Sequence, residues 1–319
     1  MKNTLRKVVL IITEIGAPFT VLAALWMKLI KKAGLGKLSD KAFMAVGILP
    51  VEDQYYQPLI NPKKHLKKSL HEDRDLPGID LNTAEQLTLL GQFDYNEELI
   101  KIPLTSKSDT EFFYNNGAYG SGDAEYLYNM IRHFKPCRII EIGSGLSTLM
   151  TQNAIKQNQM DNPGYQCKHI CIEPYEMPWL QKLDIELRRK LVEEVPIEEF
   201  QQLQENDILF IDSSHIIRPQ GDVLFEYLQL LPRINKGVIV HIHDIFTPKD
   251  YPEDWVIKEH RLWNEQYLLE AFLTGSDSYR IIGAVNYLSN HYRDEFSAKC
   301  PIYAQQPGRE PAAFWMVKN

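Results

Sequence analysis

Cysteine is scarce in this chain. Four residues in 319, Cys137, Cys167, Cys171 and Cys300, form no CxxC pair. That excludes a disulfide scaffold and suits a reducing compartment such as the cytoplasm. Basic excess is missing as well: the formal net charge is -7. The acidic portion has no basic stripe interleaved with aromatics, so nucleic acid is not an expected partner. Internal repeats and low-complexity tracts are absent. Apolar runs long enough to approach a bilayer's thickness are also lacking, apart from one near the start.

What is present is an ordinary globular composition. With 44% hydrophobic and 24% charged residues, the chain can bury a substantial core. The charge is unevenly spread. Residues 1 to 75 hold 13 Lys+Arg against 7 Asp+Glu, or +6, while the remainder holds 22 against 35, or -13. The two portions suit different surroundings.

The basic portion contains VVLIITEIGAPFTVLAALWMKLI at 8 to 30, interrupted by Glu14, Gly16 and Pro18 and flanked by Lys2, Arg6, Lys7, Lys28, Lys31, Lys32 and Lys37. A cleavable signal would end in small residues, whereas KLIKK follows here. Cations at both ends favour a segment that dips into the inner face of a membrane and returns, or lies along its surface, with Pro18 as the bend. The PKKHLKKS cluster at 62 to 69 adds attraction to anionic lipid. The competing reading packs this segment on the catalytic part or on a second copy in a homo-oligomer.

Residues 76 to 120 read as a lead-in. From about 47 to 110, with prolines at 50, 58, 62, 77 and 103, there is no sustained periodicity save for LNTAEQLTLLGQF, which predicts a short helix capped by Thr83. From 121 to 319 the pattern alternates. SGDAEYLYNMIRHF, TLMTQNAIKQ, MPWLQKLDIELRRKL, DVLFEYLQLLPRI and WVIKEHRLWNEQYLLEAFL read as helices. RIIEI, KHICIEP, KLVEEV, DILFID, GVIVHIHD, RIIGAVNYL and AAFWMVK read as strands. Such alternation predicts an α/β fold, a mostly parallel sheet with helices on both faces, and ligands bind such sheets at the C-terminal strand ends.

The RIIEIGSGLST stretch, 138 to 148, gives that rim a role. Gly143 and Gly145 allow close approach of a ligand to the backbone, and the helix start near Ser147 and Thr148 offers free N–H groups. Glu173 ends the next strand, where a carboxylate can accept hydrogen bonds from both hydroxyls of a ribose. Its distance from Gly143 exceeds the usual twenty residues by about ten, which the DNPGYQ turn at 161 to 166 accounts for.

EIGSGLST, CIEP, LFIDSSH and VHIHDIF, in that order and followed by RIIGAVNYL and AAFWMVK, resemble the core of a class I S-adenosylmethionine-dependent methyltransferase. The resemblance spans roughly 117 to 319 and is nearest to the bacterial branch linked to sugar and polysaccharide modification. It implies a Rossmann-like seven-stranded sheet with a C-terminal antiparallel strand pair, preceded here by an N-terminal helical extension. It also implies cofactor contacts at Glu141, Gly143, Ser144, Gly145, Ser147, Thr148, Glu173 and Asp212. GSG stands where many members have GxGxG, a departure that weakens a dinucleotide reading more than this one.

Two strand ends, DSSH and HIHD, bring Asp212, His215, His243 and Asp244 to the same rim. Asp212 and Asp244 resemble the divalent-metal ligands of catechol-type O-methyltransferases, implying Mg²⁺ or, with histidine, Mn²⁺. Methyl transfer to a hydroxyl needs alignment and a proton acceptor. His215 is the favoured base, with His243 lining the site beside Asp244. His241 reads as a satisfied core histidine, and Cys167, His169 and Cys171 as core packing. The NGAYGSGD stretch at 116 to 123 reads as a lid, and the loop with Pro248, Tyr251, Pro252 and Trp255 as an acceptor wall.

The expected function is O-methylation of a hydroxylated small molecule or glycan. Two alternatives stand beside it: an iron- or zinc-dependent oxygenase or hydrolase using the His/Asp cluster, and a catalytically silent scaffold at membranes.

Overall fold

A computed structural model describes residues 2–175 and 177–319. The chain forms two compact units, residues 1–67 and 68–319, the larger of which includes residues 76–120.

In the smaller unit α1 (Lys2–Ile15) and α2 (Ala17–Lys32) meet at Gly16, and α3 (Lys37–Val46) follows. The bend lies at Gly16. Pro18 occupies the first turn of α2 instead, where its missing N–H has no intrahelical partner to lose. Lys31 at the end of α2 donates to the Pro50 carbonyl (2.7 Å) and to Gln57 Oε1 (2.9 Å).

The larger unit is built on seven strands: β1 (Arg138–Ile142), β2 (Lys168–Ile172), β3 (Glu186–Arg188), β4 (Ile208–Ile211), β5 (Ile239–Ile242), β6 (Tyr279–Ala284) and β7 (Phe314–Lys318). Their order is β3-β2-β1-β4-β5-β7-β6. The first five strands in the chain pair in parallel, while β7 runs antiparallel to β5 and β6. The seven-stranded, mostly parallel sheet expected from the sequence is therefore the fold. Strand order reverses between β1 and β4, which opens a crevice at their C-terminal ends.

Both faces are covered, as the doubly apolar β4 requires. Ile139, Ile208, Phe210 and Ile239 pack with Tyr126, Phe296 and Trp315 on one side. On the other, Ile140, Leu209, Val240 and Ile242 pack with Phe200, Tyr227 and Leu269.

Local readings differ from the structure in four places. The third strand is Glu186–Arg188, inside the stretch read as helix, while Val192–Glu194 in the expected strand KLVEEV is a tight helical turn. The outer edge of β2 explains this, because three residues suffice to satisfy its backbone groups. RIIGAVNYL leaves the sheet at Ala284 and becomes the helix Val285–His291, with Val285 and Leu288 buried. The long helix from Trp255 is broken. A wide turn at Asp254–Lys258 gives way to irregular chain, and the helix proper is Glu265–Leu273. Arg261 lies in the interruption, its guanidinium 4.0 Å from the Trp255 ring and 4.5 Å from that of Trp263. Last, Thr83 is the first residue of its helix, Thr83–Gln92, rather than its cap, and its hydroxyl faces that of Tyr287 at 3.1 Å.

Candidate active site at the sheet rim

The turn after β1 is fixed by backbone geometry. Gly143 has φ +76°, and a Cβ there would lie 1.8 Å from the Asp212 carbonyl oxygen. Only glycine fits, because β1 and β4 approach closely here, with the Asp212 N–H donating to the Ile142 carbonyl (2.9 Å). The following helix, Leu146–Asp161, starts from Gly145, whose N–H donates to Thr148 Oγ1 (3.0 Å).

Glu173 closes the turn from the side. One carboxylate oxygen accepts the Ser144 N–H (3.1 Å) and the other the Tyr175 N–H (2.7 Å). Gly143, Glu173, Leu191, Val192, Asp212 and Ser214 line one hollow of about 310 Å³. In the turn that follows Gly143, the buried Ser144 Oγ has no hydrogen-bond partner among the described residues.

Three of the residues expected to touch a cofactor are committed inward. Glu141 is fully buried, accepting from Ser147 Oγ (2.6 Å) and pairing with His169 Nε2 (2.9 Å). Thr148 is buried and occupied by Gly145. The reason is strand alternation: Glu141 is even-spaced with Ile139 and faces the helical layer. Gln152 lies 3.0 Å from His169 Nδ1 and completes a satisfied interior network, so the Cys167, His169 and Cys171 stretch is core, as read, but with polar ties.

Further along the rim, β4 and β5 deliver the chemical groups. His215 and Asp244 both have left-handed backbones, φ 60° and 57°, and such conformations in residues other than glycine concentrate at functional sites. His215 Nε2 lies 3.2 Å from Asp212 Oδ1 and 3.5 Å from Asp244 Oδ2. Its Nδ1 lies 2.8 Å from Glu265 Oε2. His243 Nδ1 is 3.6 Å from both Asp212 Oδ1 and Asp244 Oδ1, and its Nε2 is 3.7 Å from Asp123 Oδ2. Trp263 packs on the His215 ring (4.3 Å between centroids) and Tyr119 on that of His243 (4.9 Å). The stretch read as a lid thus reaches His243 through Tyr119 and Asp123, while Trp263, beyond the loop read as an acceptor wall, covers His215.

Electrostatics follow from this crowding. Burial alone would lower the His215 pKa, but hydrogen bonds to Asp212 and Glu265 push it up to about 10. Those contacts favour the imidazolium form of His215 in the resting site. Burial would raise Asp212, yet His243 and His215 hold it well below the usual carboxylate range. Burial pushes Asp244 up. His241 lies 4.2 Å from the Phe210 ring and 4.5 Å from Trp315, and neither nitrogen has a hydrogen-bond partner among the described residues. It is a core histidine but not a satisfied one, and burial keeps it neutral.

Candidate ligand atoms of Asp212, His215 and Asp244 lie within 4.8 Å of one another. The two carboxylates suit a hard divalent cation, so the donor set fits Mg²⁺ or Mn²⁺.

Glu265 and Asp123 escaped the sequence reading. Glu265 shares a helix face with Leu269 and Leu273, both buried, and an acid on an apolar stripe is the signal that marks it. Asp123 reads as an ordinary helix cap. In the structure its Oδ1 accepts the N–H groups of Ala312 and Ala313 (2.8 and 2.7 Å), leaving the other oxygen toward His243.

Residues 140–245 match a family described as a methyltransferase domain. An uncharacterized protein from Archaeoglobus fulgidus is 30% identical over 175 residues, covering 51% of this chain and 77% of its own length. Residues 140–245 are a methyltransferase domain. The matched span holds Gly143, Glu173, Asp212, His215, His243 and Asp244, leaving Asp123 and Glu265 outside it. Among solved structures, the plantazolicin methyltransferase BpumL with a pentazolic desmethylPZN analog and SAH is 16% identical. That match covers 75% of this chain and 98% of the other, with a TM-score of 0.36. A putative O-methyltransferase from Klebsiella pneumoniae is 12% identical, covering 72% and 90%, with a TM-score of 0.35.

Proposed function

We propose that this methyltransferase uses S-adenosylmethionine to methylate a hydroxyl on a small molecule or glycan. The observation that carries the reading is the single rim on which Gly143, Glu173 and Asp212 share one hollow while His215, His243 and Asp244 stand beside it. Bound there, the cofactor supplies an electrophilic methyl group on a sulfonium.

The protein's own residues have separable tasks. Glu173 accepts the ribose hydroxyls, exchanging them for the Ser144 and Tyr175 N–H groups it holds now. Ser144 Oγ gains the partner it lacks. Asp212 and Asp244 would hold a divalent cation whose charge favours an ionised acceptor oxygen. His215 Nε2 releases its own proton to solvent and then takes the acceptor's, and Glu265 keeps Nε2 turned to the rim throughout. Tyr251, Trp255 and Trp263 form a continuous aromatic surface, Trp255 and Trp263 with ring centroids 5.1 Å apart. Such a surface excludes water and stacks on a ring-shaped acceptor, consistent with the sugar-modifying branch.

Calorimetry with S-adenosylmethionine and S-adenosylhomocysteine tests this. Saturable binding is expected, weakened about tenfold to a hundredfold in Glu173→Ala through lost charge-assisted hydrogen bonds. Absence of binding by the intact protein, or unchanged affinity in the variant, overturns the assignment.

A further inference from the structure

Helices α1 and α2 leave apolar side chains uncovered along their length. Leu5, Ile12, Ile15, Phe19, Leu22 and Trp26 are each about 60–80% exposed, and no residue of α2 is buried. Isolated apolar residues on a surface need no explanation, but a contiguous patch of this extent marks an interaction site.

The two helices differ in pattern. On α1, Leu5, Val8, Val9, Ile12 and Ile15 form one face, while Arg6, Lys7, Thr13 and Glu14 lie opposite. That is the distribution of a helix lying in an interface. From Ala17 to Met27 every residue of α2 except Thr20 is apolar, on all sides of the helix. A helix apolar all round belongs in a protein core or in lipid. Its one hydroxyl, Thr20 Oγ1, turns back on the Gly16 carbonyl (3.5 Å), as Thr13 Oγ1 does on Leu10 (2.8 Å). Both helices thus limit the polar groups they would present to hydrocarbon.

Length and charge decide the geometry. Among the described residues no single helix is long and apolar enough to cross a membrane, and the pair bends by 67°. At 1.5 Å per residue the arms measure about 21 and 24 Å, short of a hydrocarbon core of about 30 Å. Arg6 and Lys7 stand near one end of the pair, and Lys28 and Lys32, both exposed, stand at the other. A spanning arrangement would put one cluster on the wrong side. A pair that enters and returns keeps both on the cytoplasmic face. Trp26 sits two residues before Lys28, where an aromatic anchors at headgroup level.

We propose that α1 and α2 dock this enzyme on an anionic bilayer surface, α1 entering from the headgroup layer, the bend at Gly16 lying in the acyl region and α2 returning to the headgroup layer at Trp26 and Lys28. The proposal does not depend on the methylation chemistry. It implies that the acceptor is met at the membrane.

The test is flotation of the full chain with phosphatidylcholine vesicles, with and without phosphatidylglycerol. Binding to the anionic vesicles is expected, falling at high salt, with quenching of Trp26 by lipid-borne quenchers that is lost in Trp26→Phe. Lys28→Gln with Lys32→Gln should weaken binding about 30-fold. Leu22→Asp with Leu25→Asp should abolish it while circular dichroism stays unchanged. Failure to float, or equal binding to neutral and anionic vesicles, overturns the proposal. So does a lipid-free oligomer, seen by sedimentation, that the aspartates dissociate and that ignores vesicles, since a second copy then occupies these helices.

Discussion

His215 Nδ1 stands 2.8 Å from Glu265 Oε2, tying the turn after β4 to the first residue of a helix fifty positions away. The other oxygen of Glu265 accepts the Tyr227 hydroxyl at 3.1 Å. Both partners of the pair are buried. The long helix suggested by the sequence is interrupted just before this point, and the carboxylate at the helix start reaches the rim.

Removing that carboxylate leaves a buried imidazolium and a buried hydroxyl without their partner. Glu265→Ala should therefore destabilise the fold by about 3–5 kcal/mol, measured by urea denaturation. Tyr227→Phe, which removes one hydrogen bond and leaves the ion pair, should cost about 1 kcal/mol. Equal costs for the two would mean that the pair adds nothing.

The two glycines of the turn should respond oppositely. A Cβ on Gly143 meets backbone 1.8 Å away and also a left-handed φ, whereas one on Gly145 meets nothing nearer than Met177 Cε at 3.9 Å. Gly143→Ala is expected to lose about 3 kcal/mol and the hollow beside it. Gly145→Ala should stay within about 1 kcal/mol of the parent in the same urea titration.

These residues also show what a sequence can and cannot disclose. Gly143 and Glu173 were legible because each ends a strand whose apolar run is unmistakable, and a sheet of this topology sends all such ends to one rim. Glu141 stands just as near the turn, but alternation along β1 sends it inward to His169. Glu186–Arg188 is a strand only because β2 leaves an edge there, a fact about the neighbour that three residues cannot encode. Glu265 and Asp123 look like the charged residues that begin many helices. What they hold, His215 and the Ala312–Ala313 backbone, is distant in sequence.

Glu125 supplies a pH dependence distinct from the rim. Burial pushes its pKa up to about 7, although the N–H groups of Ile302, Gly122 and Tyr303 pull the other way. Because the folded value exceeds the unfolded one, near 4.5, its contribution to stability is complete below about 4.5 and is lost as pH rises through about 7. Glu125→Gln keeps an acceptor oxygen but no titration, so its urea midpoint should vary less than the parent's across that window. An identical pH profile in the variant would show that Glu125 is ionised throughout.

The last prediction concerns the carboxylates at the strand ends. If Asp212 and Asp244 hold a cation, as the proximity of their oxygens within 4.8 Å suits, the ion binds only the folded chain, because nothing else brings these residues together. Ligation of that kind stabilises by mass action, about 2.7 kcal/mol when the free ion is a hundredfold above its dissociation constant. Mn²⁺ should therefore raise the melting temperature of the purified protein, EDTA should reverse the gain, and Asp244→Asn should abolish most of it by removing one charged ligand. Glu173→Ala, which alters the cofactor hollow and neither ligand, should keep the full Mn²⁺ response. A rise of equal size in Asp244→Asn would place the ion elsewhere on this acidic protein.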